Sequence, residues 1–222
     1  MSKGSKPKSS VKAQYDLTGK KIVITGGAGF LGRHFAAAVA EMGALPILLD
    51  IGADYLLQAS TELAQNEVKT ATYTLDICDK ENVQSVVNEI VNVHGTIDVL
   101  INSAAFAMKN LQEGGDGFFA DFEDYDQKLW QVSLDVNLTG TFLILQEVGK
   151  VMKDQQNGVV INIASDVAVI SPDHRIYKAD KHFDYEGVAF NTPIGYSATK
   201  AGMLAMTRYL ATYWAKDGIR VN

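Results

Sequence analysis

KIVITGGAGFLG, residues 21–32, decides the fold. Its first five residues are a nearly unbroken β-branched run, as expected of a strand buried on both faces of a parallel sheet. Thr25 closes the run. Gly26, Gly29 and Gly32 then follow in G-x-x-G-x-x-G spacing where a helical stretch opens, and Gly43 ends that stretch as a C-cap. Gly26 permits the tight turn, Gly29 lets backbone N–H groups approach a pyrophosphate, and Gly32 lets helix and strand pack closely. Spacing alone is weak, but placement directly after a buried strand marks a dinucleotide-phosphate turn, with Phe30 and Leu31 part of the same contact surface.

Outward from this turn, short apolar runs alternate with segments of helical period, the pattern of βαβ units around a parallel sheet. Strands are predicted at 45–50, 68–76, 96–102 and 158–163, with helices near 54–65, 79–93, 125–153 and 194–216. The fold class is therefore α/β, a doubly wound parallel sheet of Rossmann type, with residues 15–222 as one dinucleotide-binding domain. IRVN at 219–222 begins a further strand at which the chain stops, so the last strand is expected to be truncated. Residues 165–192 lack sustained period and are too long for an ordinary connection, which marks a functional loop.

With 222 residues, 47% of them hydrophobic, the chain can build a full core without staples. Its net charge of −6 has the wrong sign for gripping phosphate backbones, which argues against nucleic acid as a partner. No apolar run reaches the roughly 20 residues of a membrane span. The single cysteine, Cys78, cannot form an internal disulfide and is expected to be buried and inert, in keeping with a cytoplasmic setting. Residues 1–14 are rich in Lys, Ser and Gly with no apolar segment behind them, and read as a solvated tail.

Asp50 ends the second strand 18 residues beyond Gly32, close to the spacing at which an acid accepts from the adenosine ribose hydroxyls and repels a 2′-phosphate. Ile51 and Gly52 offer no cation, so NAD is favoured over NADP; Arg33, on the first turn of the helix, is the counter-argument. Asp76, followed by Ile77, either touches the adenine edge or caps the next helix. Tyr196 and Lys200 stand four apart on a predicted helix and so project from one face. An ammonium beside a phenol favours the phenolate, as a proton shuttle to a carbonyl or alcohol requires. No His, Cys and carboxylate set has metal-ligand spacing, so no metal is expected.

With these residues in place, the chain resembles the short-chain dehydrogenase/reductase family from about residue 17 onward. TGGAGFLG matches the family's glycine turn, NSAA (102–105) its strand-four motif, and VNLTGTF (136–142) its helix-four motif. INIAS (161–165) matches its serine strand, and YSATKAG (196–202) its active-site helix. The resemblance implies that Tyr196 is the general acid/base, Lys200 holds the nicotinamide ribose, Ser165 orients the substrate oxygen and Asn137 anchors a relay water. It further implies that Asn102 to Ala105, Ala104 included, flank the adenosine side of the cofactor. A homodimer or homotetramer is implied as well, for which the small-residue face of the last helix (Ala198, Ala201, Gly202, Ala205) and the long helix 125–153 are suited as contacts, with intrachain core as their alternative role.

Three features depart from the family pattern. The glycine spacing is that of its sugar-nucleotide-modifying branch; Asn-Ser-Ala-Ala replaces Asn-Asn-Ala-Gly; and 31 positions separate Ser165 from Tyr196. The extra segment carries Asp173, His174, Arg175, Tyr177, Lys178, Lys181, His182, Asp184 and Tyr185, a composition suited to a sugar or other polar small-molecule substrate. The expected activity is hydride transfer between NAD and a carbonyl or secondary alcohol. Two rivals stand beside it: a sugar-nucleotide epimerase or dehydratase with tightly held NAD, and a dinucleotide-binding module without catalysis. Because the family continues past the sixth strand, the chain is also expected to be C-terminally incomplete.

Overall fold

The computed structural model describes residues 11–107, 115–177, 184–185, 188–189 and 191–222. The predicted tail up to residue 10 and Lys178, Lys181 and His182 of the long insertion lie outside the described residues.

Apolar runs at the predicted positions become β1 (Lys21–Thr25), β2 (Leu45–Asp50), β3 (Ala71–Thr74), β4 (Val99–Asn102) and β5 (Gly158–Asn162). Ahead of them, Val11–Gln14 forms one short helical turn, α1. The connections supply α2 (Phe30–Glu41), α3 (Ala53–Gln65) and α4 (Lys80–His94), then α5 (Gln127–Leu134) and α6 (Thr141–Gln155). A two-stranded antiparallel pair, β6 (Asp184–Tyr185) and β7 (Val188–Ala189), precedes α7 (Ile194–Tyr213) and β8 (Ile219–Val221).

The main sheet runs β3-β2-β1-β4-β5-β8, all parallel. Strand order reverses between β1 and β4, where Thr25 lies opposite Asn102, so a crevice opens at their carboxyl ends. Val23, Ile47, Leu100 and Val160 are buried with α4 and α6 residues on one face, while Ile22, Ile24 and Leu48 are buried with α2 and α3 residues on the other.

Three expectations need correction. The last strand is not truncated: Ile219 to Val221 pair in parallel register with Gly158 to Val160, and the Asn222 amide and carbonyl extend the ladder to Val160 and Asn162. The sheet thus has six ordered strands, because an apolar three-residue strand suffices to cover the β5 edge. Helix 125–153 is helical throughout, from Gln127 to Gln155, but not α-helical throughout, since Asp135–Gly140 is a π-helical segment between α5 and α6. Cys78 is exposed rather than buried, and desolvation and the neighbouring Asp76 push its thiol up to about 11, which disfavours the thiolate.

Candidate active site

The glycine turn packs against the end of β4. Gly26 has φ +64°, and a Cβ there would lie 2.8 Å from the Ala104 Cα, so glycine is needed for conformation and for space. A Cβ on Gly32 would come within 2.3 Å of the Gly26 carbonyl oxygen, which explains the close approach of helix and turn. Gly29 is the N-cap of α2 and supplies no side chain, so the first N–H groups of that helix, at Phe30, Leu31 and Gly32, have no side-chain cap. An uncapped helix N-terminus at a sheet switch point fits the pyrophosphate of a dinucleotide.

Around this turn, Asp50 accepts from the Ala28 amide through Oδ2 at 3.1 Å, which fixes the carboxylate beside the turn. Thr25 Oγ1 accepts from the Ser103 and Ala104 amides at 3.1 and 3.2 Å and so closes the crevice wall. The N-cap alternative for Asp76 is settled: Asp79 caps α4 by accepting from the Asn82 amide, while Asp76 accepts from the Cys78 amide and shapes the turn that carries Ile77. Asn102 donates to Asn162 Oδ1 at 2.8 Å, and its own Oδ1 is buried without a partner. A buried orphan acceptor at a crevice floor fits a site that meets a polar ligand.

Tyr196 and Lys200 lie on the first two turns of α7, with the ammonium 5.6 Å from the centre of the Tyr196 ring. Lys200 is only 2% exposed and donates to the Ile163 carbonyl at 2.5 Å. Burial lowers its pKa from 10.5 to about 8, so the charge stands in a poorly solvated place without a carboxylate partner. Ser165 follows β5 in extended conformation, and its hydroxyl donates to Asp166 Oδ1 at 3.0 Å.

Asn137 is fully buried in the π-helical segment. It accepts from the Phe106 amide at 2.6 Å and donates to the Phe106 carbonyl at 3.1 Å and to Thr199 Oγ1 at 3.2 Å. Thr199 in turn donates to the Gly195 carbonyl, and Thr141 donates to the Asn137 carbonyl. The structure therefore joins Asn137 to the loop beyond Asn102 and to the helix of Tyr196 and Lys200.

Four residues that hold this site together escape sequence reasoning: Thr25, Gly27, Asn162 and Thr199. Gly27, where a Cβ would meet Leu48 Cβ at 2.7 Å, and Thr25 stand within the quoted turn, so their position was a usable signal. Asn162, which also donates to Thr207 at 2.8 Å, stands within INIAS and Thr199 within YSATKAG, so their place in those stretches was a signal of the same kind. In the described part of the insertion, His174 bonds Asn191, and Asn191 donates to Asp121 and to the Phe119 carbonyl. Asp121, His174 and Asn191, with Tyr125, Val167 and Ser197, line a cavity of about 600 Å³ that neither Tyr196 nor Lys200 borders. Among the described residues no group of His, Cys, Asp and Glu is arranged to hold a metal, and no helix is long and apolar enough to cross a membrane.

Comparison with known proteins gives a consistent picture. The family model described as short chain dehydrogenase matches residues 20–184. The NAD-dependent glycerol dehydrogenase of Listeria innocua serovar 6a is 33% identical over 94% of this chain and 70% of that protein. The D-threitol dehydrogenase of Mycolicibacterium smegmatis is 29% identical over 96% of this chain and 71% of that protein. The crystal structure of an NAD⁺-bound xylitol dehydrogenase superposes with a TM-score of 0.77 at 28% identity, over 92% of this chain and 68% of that one. The expectation of a truncated final strand is corrected by its pairing, and the alignments take in 92–96% of this chain.

Proposed function

Since this chain belongs to the short-chain dehydrogenase family and is an NAD(P)-dependent oxidoreductase acting on carbonyl or alcohol substrates, we propose that it interconverts a secondary hydroxyl of a small polyol with the ketone, using NAD. The observation that carries the proposed chemistry is the buried Lys200 ammonium beside the Tyr196 ring. When bound, the nicotinamide dinucleotide supplies the hydride acceptor or donor.

The chain's own residues do the rest in this reading. Tyr196 Oη takes the proton of the substrate hydroxyl during oxidation and returns it during reduction. Lys200 keeps a positive charge next to that phenol, favouring its phenolate form, and turns its remaining N–H donors toward the nicotinamide ribose. Ser165 donates to the substrate oxygen once its hydroxyl swings away from Asp166. Asn137 holds Phe106 and Thr199 together, so that the relay beside Lys200 keeps its shape. Gly26, Gly29, Phe30, Leu31 and Gly32 hold the pyrophosphate, Asp50 the ribose hydroxyls, and Asp76, Ile77, Asn102 and Ala104 the adenosine side.

NAD over NADP is supported by the Asp50 carboxylate at the ribose position, and by the NAD-dependent glycerol dehydrogenase among the relatives. The polyol class is supported by the glycerol and threitol relatives. In the same reading residues 15–222 act as one catalytic domain behind a basic tail. The protein is a cytoplasmic homodimer or homotetramer, with the exposed face of α7 at Ala201, Ala205, Tyr209 and Tyr213 as a contact.

The test is NADH formation on incubation with NAD and a panel of small polyols, run beside Tyr196→Phe. Net NADH formation that falls by about 10²-fold or more in the variant, with NADH binding retained, is the expected result. Turnover without net NADH points instead to an epimerase or dehydratase, and an active Tyr196→Phe protein refutes the assignment of that residue.

A further inference from the structure

Cofactor choice rests on Asp50 in the reading above, and the inference here deepens that reading. Asp50 and Arg33 flank the same turn: the Asp50 carboxylate accepts from the Ala28 amide, while the Arg33 amide donates to the Gly29 carbonyl, one step further along. A free guanidinium on this first helical turn would be a ready partner for a 2′-phosphate, because arginine binds phosphate through paired, charge-assisted hydrogen bonds. It is not free. Arg33 Nη1 forms a short ion pair with Glu62 Oε2 on α3, and Gln58, one turn earlier, donates to Glu62 Oε1 at 2.9 Å and steadies the carboxylate.

We propose that Glu62 is a selectivity residue that acts through Arg33: by drawing the guanidinium onto α3 it withholds a cation from the ribose 2′ position, so the chain discriminates against NADP twice. Asp50 repels the 2′-phosphate directly, and Glu62 removes the charge that would offset that repulsion. A purely structural role is a weak account of the pair. Its side chains are 28% and 46% exposed, and exposed pairs add little to stability. Selectivity built in this way is a difference between two affinities, and it uses a withheld attraction as well as a repulsion. Glu62 is thus a positioning residue, distant in sequence from every motif of the site.

The test is calorimetric titration of NADH and NADPH into the full chain as wild type, Glu62→Gln, Arg33→Ala and the double variant. The ratio of the two affinities is read within one preparation, so any inactive fraction cancels. Glu62→Gln is expected to raise the NADPH-to-NADH affinity ratio about tenfold, the size of one charge-assisted hydrogen bond. Adding Arg33→Ala is expected to return the ratio to the wild-type value. A wild type that prefers NADH but whose ratio does not move in Glu62→Gln overturns the role of Glu62 alone. A rise that persists in the double variant overturns the part played by Arg33. A wild type that binds NADPH more tightly than NADH overturns the NAD reading itself, and the inference with it.

Discussion

The two ends of the central strands are built on opposite terms. At the amino end of β1 and β4, polar groups find partners within the chain. Asp98 pairs with Lys20 at 2.8 Å and accepts from the Lys21 amide, while Gln155 bonds both the amide and the carbonyl of Ile97. At the carboxyl end, α2 starts without a side-chain cap, Asn102 Oδ1 is buried without a partner, and Lys200 carries a charge into the interior. Helix α4, which starts after the edge strand β3, is capped by Asp79. The difference teaches that one end is assembled for stability, whereas the other keeps donors and acceptors in reserve for a ligand and is less stable for it.

The largest effect that tests this contrast is expected from Lys200→Met. Activity falls by about 10²-fold or more, yet the protein gains stability near neutral pH, because a charge no longer has to be buried. The sign follows from linkage. The folded-state value of about 8 lies below the ordinary 10.5, so the unfolded chain binds more protons between the two, and wild-type stability rises with pH across that window. The shift corresponds to roughly 3 kcal/mol as an upper bound, at 1.36 kcal/mol per unit. Denaturant titrations at pH 7 and pH 10 check it: the gain over wild type should be present at the lower pH and shrink at the higher one.

Asp98→Asn addresses the opposite end. Burial raises the Asp98 pKa, but the hydrogen bonds of Lys20 and Lys21 and the Lys20 charge outweigh it and hold the carboxyl below its usual value. Its contribution is therefore present above the ordinary carboxylate pKa and lost as pH falls through the lower folded value. The variant should lose about 1–2 kcal/mol at pH 7, with the difference from wild type vanishing in acid, while the Michaelis constant for NAD stays put. The smallest effect belongs to Asp79→Ala, about 1 kcal/mol of stability from a lost cap. A change in NADH affinity there would blur the distinction between the capped helix and the uncapped one.

Much of this was legible in the chain itself. Unbroken runs such as KIVIT read as strands covered on both faces, and Gly26 and Gly32 of the turn stood where the backbone does approach too closely for a Cβ. The π-helical segment was not legible, because Leu129, Val132, Val136, Leu138, Phe142, Leu145 and Val148 keep an apolar rhythm straight through it. In the structure Val132 and Phe142 nonetheless face outward, while Leu145 and Val148 are buried. The last strand was misjudged because its end was read from the chain's terminus, whereas its pairing depends on the waiting edge of β5.

Local sequence determined the alternation of elements, the glycine turn, the Asp50 carboxylate and the one-face pairing of Tyr196 with Lys200, since each depends on residues within a turn or two of one another. Only the tertiary structure decided which groups are satisfied and which are left in reserve. Asn137 reaches Phe106 and Thr199, Arg33 is drawn to Glu62, and Lys200 is buried against the Ile163 carbonyl. Burial and long-range pairing set these outcomes, and neither is written into the spacing of a single segment.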